Sequence, residues 1–205
     1  MTRDGALAAT PSRLLAAATA ALALAGCAAG APERSYKGDA YRESLAESWS
    51  GHRFADVYRQ RVDYSCGSTS LLTLLTNRFA ETGLPDGPAL TERMLERVDG
   101  KRREMTRGKG FSFLDLKRQL DRMGYDAIGV ELPLAEMLDL RVPAIVHLDL
   151  GDTQHFATWR GASAGRVMLG DPSRGRVSYP VAAFASEWTG RALLVARENR
   201  SPPSE

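Results

Sequence analysis

Apolar side chains recur every three or four positions from residue 66 to 79, at Leu71, Leu72, Leu75 and Phe79. That spacing predicts a helix with a buried face. Ser65, of a residue type favoured just before a helix, is expected to cap it. A second helix is predicted over Thr91 to Val98, where Met94, Leu95 and Val98 share a face. Ser112-Phe113-Leu114-Asp115 has the spacing of a capping box and opens a third. Leu116, Leu120 and Met123 give that helix its apolar side, and Gly124 ends it. Between these two helices, residues 100–110 carry glycines and five Lys or Arg with no apolar period. They read as a basic loop, either simply solvated or acting as a flap against substrate.

The pattern then changes. A strand is predicted at 125–130, a short helix from Pro133 to Leu138, and a buried, β-branched strand from Val142 to Leu150. Residues 155–160 and 166–170 read as two strands joined by a turn at Gly161 to Gly165. If Arg160 opposes Arg166, simple antiparallel pairing sets His155 directly opposite Asp171, with Cβ atoms ~5 Å apart. A turn at Pro172 to Gly175 follows. A strand near Val177 to Tyr179 comes next, then a helix from Pro180 carrying Phe184 and Trp188, and a last strand from Ala192 to Ala196.

The beginning of the chain has a different character. Arg3 and Arg13 precede an unbroken Leu, Ala and Thr run from Leu14 to Ala25. The run is shorter than the ~20 residues a bilayer span requires, so residues 1–26 read as a secretory signal. Leu24-Ala25-Gly26-Cys27 resembles a bacterial lipobox, in which the cysteine is lipidated and becomes the first mature residue. The alternative is a plain secreted protein cut near Ala28, with Cys27 lost. A multiply acylated Cys27 would anchor firmly to a membrane, and Ala28, rather than Asp, implies the periplasmic side of the outer membrane. Residues 27–52 read as the lipidated tether, 53–198 as the folded domain and 199–205 as a disordered tail.

Of 205 residues, 27 are Lys or Arg and 25 are Asp or Glu, a net charge of +2. No basic stripe interleaved with aromatics is present, so no nucleic-acid partner is expected. Three histidines and one cysteine beyond Cys27 supply no ligand pair of recognisable spacing, so no metal or cofactor is expected either.

Cys66 is thereby left without a disulfide partner in a compartment that forms disulfides, which points to a reactive thiol rather than to an inert buried one. At a helix start, free N–H groups and the helix dipole stabilise an anion. A cysteine nucleophile also needs a base, a group to orient that base and donors for the oxyanion. His155 is the candidate base and Asp171 its orienting acid. Gln60 is the candidate side-chain donor beside the Cys66 N–H. His147, inside an apolar strand, and His52, at the tether end, are the rival bases, and neither has an acid in hairpin register.

Gln60…Ser65-Cys66-Gly67, His155-Phe156 and Gly170-Asp171-Pro172 together resemble the double-glycine-leader (bacteriocin-processing) cysteine peptidases. Gly110-Phe111-Ser112…Asp115-Leu116-Lys117 and Phe184…Trp188-Thr189-Gly190 resemble the stand-alone exported branch of that family. The likeness runs from about residue 55 to 197. It implies an α+β, papain-like fold, with the cysteine-bearing helix packed on an antiparallel sheet carrying His155 and Asp171. It also implies Gln60 as the oxyanion residue and a polypeptide substrate, either a leader or a secreted or surface protein. Ser65 stands where many members have Asp.

The function expected is a membrane-anchored periplasmic cysteine peptidase, with secretion or surface-assembly machinery as possible partners. A non-catalytic peptide-binding module, or the same site used as a transpeptidase, deamidase or cell-wall amidase, are the alternatives.

Overall fold

The computed structural model describes residues 51–197. The signal segment 1–26, all but the end of the tether 27–52 and the tail 199–205 lie outside the described residues. Among those described, no helix is long and apolar enough to cross a membrane.

Helix α1 spans Cys66–Phe79, as its apolar period predicts, and ends where Ala80 turns left-handed at φ 52°. Every residue from Cys66 to Leu75 is buried, so the helix is enclosed rather than amphipathic in the surface sense. Ser65 does occupy the position before it, but its hydroxyl does not cap α1. It donates instead to the Val62 carbonyl (2.7 Å) within a single turn of 3-10 helix, Asp63–Ser65. The first N–H groups of α1 are thus left without that side-chain acceptor.

Helix α2 spans Gly87–Glu96, with the Asp86 carboxylate accepting from the Ala89 N–H at its start. It begins earlier than the apolar period indicates, because Asp86 and Pro88 supply a cap and a preformed first turn. Residues 100–110 depart further from expectation. Gly100–Lys109 form helix α3, not a loop. Asp99 caps it through the Arg102 N–H (3.1 Å), and an ion pair in which Arg102 Nη2 meets both Asp115 carboxylate oxygens ties it to the next helix. Thr106 is its sole buried residue, so capping and one ion pair hold a segment with almost no apolar face. Helix α4, Phe113–Arg122, carries the predicted capping box between Ser112 and Asp115.

Six strands follow: β1 Tyr125–Glu131, β2 Ala144–Asp149, β3 Gln154–Ser163, β4 Arg166–Asp171, β5 Gly175–Pro180 and β6 Trp188–Arg197. Helix α5 (Leu134–Asp139) joins β1 to β2, and α6 (Val181–Glu187) joins β5 to β6. Trp188 therefore opens β6 instead of closing the preceding helix. The strands form one sheet in the order β1-β6-β2-β3-β4-β5, with every described pair antiparallel. Both faces are covered. Ile145, Phe156, Leu193 and Val195 pack with the leucines of α1 and α4, whereas Val146, Ala157, Leu169 and Ala192 pack with Phe184, Trp188 and Met137. The alternation of Ile145 with Val146 and of Phe156 with Ala157 is the two-residue period of a strand buried on both sides.

Helix α1 is locked to β3 by a reciprocal pair of side-chain hydrogen bonds. Ser70 Oγ donates to the Phe156 carbonyl (3.0 Å), and Thr158 Oγ1 donates to the Ser70 carbonyl (2.9 Å). Gly67 allows the close approach, since a Cβ there would stand 3.1 Å from Leu116 and 3.3 Å from Phe156. Ser70→Ala leaves a buried carbonyl without its donor and is expected to cost ~1–3 kcal/mol. Urea unfolding of the variant checks this, and an unchanged midpoint would show that the lock carries no stability.

Candidate active site

Cys66 is the first residue of α1 and only 3% exposed. His155 lies one residue inside β3, pairing with Leu148 of β2, and Asp171 is the last residue of β4. The hairpin register differs from the simple one. The turn is the two residues Ala164 and Gly165, both at positive φ, and Ser163 pairs with Arg166. The register then shifts by one between Trp159 and Gly161. Continued past Thr158↔Gly170, it sets Asp171 opposite Ala157, so His155 and Asp171 are diagonal neighbours rather than directly opposed. An offset of two residues keeps both on one side of the sheet. Their side chains still meet, with His155 Nε2 3.0 Å from Asp171 Oδ1.

Asp171 is fully buried and is satisfied from several directions. Besides His155, its Oδ1 accepts from the Ser173 N–H (2.8 Å), the Ser173 hydroxyl (2.8 Å) and the Arg174 N–H (3.0 Å). Its Oδ2 accepts from Arg174 Nε at 2.7 Å. Burial alone would push this carboxyl up. The hydrogen bond to His155 and the charges of His155 and Arg174 prevail, holding it well below the usual carboxylate range. A carboxylate with this many donors remains ionised and keeps one orientation.

The turn that supplies those donors is itself braced. Arg53 Nε donates to the Arg174 carbonyl (2.9 Å), the Gln60 N–H to the Pro172 carbonyl (2.9 Å), and Asp56 pairs with Arg160 and Arg176. Gly175, at φ 80°, sits so close to this strap that a Cβ would fall 2.4 Å from the Arg53 carbonyl oxygen. Ser173, Arg174 and Arg53 are functional neighbours that the sequence reading did not single out. An acid followed by Ser two positions on and by Gly four positions on is a turn in which the acid's own side chain binds the following N–H groups. That signal could have found Ser173.

With Nε2 of His155 bound to Asp171, Nδ1 is the nitrogen left for the thiol. Burial works against charging this imidazole, but hydrogen bonds to Asp171 and Cys66 and their negative charge outweigh it, raising the group to about 9. His147 behaves oppositely. Burial, aided by the Arg191 charge, lowers it. It lies at the β2–β6 bulge, bonded to Thr189 Oγ1 (3.0 Å) and packed against Phe156 and Phe113. A neutral, aromatic-packed imidazole is a wall rather than a base. His52 is exposed and lines none of the clefts beside Cys66.

Two clefts meet at Cys66. One, of about 860 Å³, is bordered by Gln60, Tyr64, Asp152, His155 and Ser173. The other, of about 420 Å³, is apolar and bordered by Met105, Phe111, Phe113, His147 and Phe156. The end of α3, at Lys109 and Gly110, borders both. Gln60 shares the first cleft with Cys66 and His155, and its side-chain Oε1 is buried without a hydrogen-bond partner among the described residues. That oxygen can only accept, so what an oxyanion would meet is the Nε2–H donors at the other end of the same carboxamide. The structure brings Cys66, His155, Asp171 and Gln60 to one place. Cys27 lies outside the described residues, and among those described no cluster of metal-ligating side chains forms.

A buried thiol at a helix start, facing an acid-bound imidazole at the end of a central strand, is the arrangement of the papain-like cysteine peptidase class. Residues 101–200 match the Peptidase C39 family, a stretch that holds His155 and Asp171 and lies beyond Cys66. A curated relative from Pseudomonas aeruginosa, described as "Probable functional amyloid protease FapD", is 35% identical over 144 residues, covering 70% of this chain and 61% of that protein. The chain thus spans about three fifths of that relative's length. Among solved structures, the peptidase domain of Streptococcus ComA, a bi-functional ABC transporter involved in quorum sensing, superposes with a TM-score of 0.56 at 20% identity, over 69% of this chain and 97% of that one. A double glycine motif protease from an AMS/PCAT transporter, in complex with its leader peptide, gives 0.55 at 20% identity, over 68% and 89%. These two superpositions establish the papain-like fold. The chain belongs to the Peptidase C39 family.

The raised imidazole has a measurable consequence. A group whose folded pKa exceeds its unfolded value stabilises the fold fully below the unfolded value of 6.5, and that contribution is lost as pH rises through about 9. The urea midpoint is expected to fall between about pH 6 and about pH 9.5, and to fall less in His155→Gln. Parallel losses in the two proteins would mean the imidazolium contributes nothing to folding.

Proposed function

We propose that this chain is a lipid-anchored periplasmic cysteine peptidase that cuts a secreted or surface polypeptide through Cys66, His155, Asp171 and Gln60. The observation that carries the reading is the buried thiol–imidazole–carboxylate line opening onto two clefts, with His155 bound to Asp171 at 3.0 Å. The sulfur attacks the carbonyl carbon of a bound peptide as the thiolate. The oxyanion is received by the Cys66 N–H, an uncapped first-turn donor, and by the Gln60 carboxamide. His155, held charged by Asp171, gives its proton to the departing amine, and a thioester remains on Cys66. His155 then takes a proton from water, which attacks the thioester. The carboxylate product leaves and the thiolate–imidazolium pair is restored.

The address rests on the lipobox-like Leu24-Ala25-Gly26-Cys27, which puts the lipid on Cys27 and the domain on the periplasmic side of the outer membrane. The substrate class is supported by the relative described as a functional amyloid protease and by the leader-bound transporter protease. Secretion or surface-assembly machinery is the partner such a substrate would bring.

Cys66→Ala is expected to abolish cleavage of a sensitive polypeptide while keeping the fold, since alanine is a good helix residue. Residual turnover would sink the mechanism. Gln60→Ala is expected to lower kcat ~10²-fold while Cys66 alkylation keeps its rate. If alkylation falls equally, Gln60 serves the fold and not the oxyanion.

Rapid alkylation of Cys66 by iodoacetamide at mildly acid pH, lost in His155→Ala, would mark an assembled pair. The same slow profile in both proteins would overturn it.

A further inference from the structure

Away from the thiol, a third concavity of about 250 Å³ is lined by four arginines from three successive helices. Arg97 closes α2, Arg102 lies on α3, and Arg118 and Arg122 stand one turn apart on α4. Two carboxylates share the pocket, and both are engaged. Asp99 caps α3, and Asp115 closes its own capping box and binds Arg102 at 3.0 Å. Arg97 donates to the buried Gln119 (2.8 Å), and Arg122 to the Arg118 carbonyl (3.0 Å). Among the described residues, Arg97, Arg118 and Arg122 have no carboxylate within ion-pair distance, though other arginines of the fold do.

Converging like charges repel, so this arrangement costs stability instead of supplying it. An anionic ligand would relieve the cost. Guanidinium groups in a concavity suit planar carboxylates, which they bind with paired hydrogen bonds. The position decides which carboxylates. Arg102 and Asp115 line both this pocket and the apolar cleft that opens at Cys66. The ion-paired Arg102 and Asp115 are common to the two hollows, so a chain lying in the apolar cleft past Phe113 and Met105 would come close to the arginines.

We propose that an acidic segment of the polypeptide substrate, a few residues to one side of the bond cut, docks in this arginine pocket and sets which polypeptides are accepted. The inference rests on the peptidase reading above and adds its recognition rule: an apolar residue near the scissile bond, with Asp or Glu beyond it. Arg118 and Arg122 are specificity residues here and touch no reacting atom.

The test is binding, so it does not depend on turnover. Fluorescence anisotropy would follow a fluorescein-labelled octaglutamate peptide, with octaglutamine as control, on the full chain and on the Arg118→Gln/Arg122→Gln double variant. The expected result is octaglutamate binding that weakens with salt and drops about tenfold or more in the double variant, as loss of charge-assisted hydrogen bonds requires. Octaglutamine should bind neither protein. Equal binding of the two peptides, or no loss in the variant, would overturn the proposal. So would arginine-dependent binding to phosphatidylglycerol vesicles without octaglutamate binding, which would assign the pocket to a membrane surface. Cys66 alkylation separates this proposal from the one beneath it. Failed binding with a reactive Cys66 removes only the docking rule, and retained binding with an unreactive Cys66 removes only the peptidase.

Discussion

The reciprocal bond between α1 and β3 is the constraint on which the site depends. Ser70 lies one helical turn after Cys66, and Phe156 immediately follows His155, so joining Ser70 to the Phe156 carbonyl sets the spacing of thiol and imidazole. Thr158 returns the bond to the Ser70 carbonyl and fixes the rotation of the helix about its axis. Dispersion alone would hold α1 against the sheet with many near-equal registers. Buried hydroxyl–carbonyl pairs select one, because sliding by a residue would strand both carbonyls. Within the polar run Ser68, Thr69, Ser70 and Thr73 of an otherwise leucine-rich helix, Ser70 makes that selection, while Ser68 bonds Thr91 of α2 and Thr73 accepts from the Tyr58 N–H.

A second constraint is electrostatic. Asp171 is a buried charge, and such a charge persists only where it is paired and fully hydrogen-bonded. The turn from Pro172 to Gly175 and the strap from Arg53 to Gln60 exist around it as a housing. The same strap delivers Gln60 to the cleft. Orientation of the base and placement of the oxyanion donor are therefore properties of one packed unit, formed from segments more than a hundred residues apart in the chain.

Much of this was legible in the sequence. The period of Leu71, Leu72, Leu75 and Phe79 gave α1 its full extent, and Ser112 with Asp115 gave the start of α4. Other features were not legible, each for a physical reason. Helix α3 has almost no apolar face, so periodicity is silent, and what forms it is the Asp99 cap and an ion pair to a residue on another helix. The hairpin register depends on a two-residue turn with a left-handed Ala164, a conformation that alanine does not advertise. Ser65 has the chemistry of a cap, yet its hydroxyl is taken by Val62, because the preceding turn is tight enough to reach it first. The site residues were readable individually. The support of Asp171 by Arg174 and Arg53 was not, since it arises only when the strap folds back across β4 and β5.

The diagonal placement of His155 and Asp171 bears on how this hairpin can change over evolutionary time. Successive strand residues face opposite ways, so the geometry tolerates changes of length confined to the turn and rejects a single residue added within either strand. A single-residue insertion in β4 between the turn and Asp171 would turn the acid to the far side of the sheet unless a compensating bulge restored it. The shift between Trp159 and Gly161 is such a bulge. Length can therefore change freely in the Ala164–Gly165 turn, while the stretch of each strand between that turn and the site is fixed in parity.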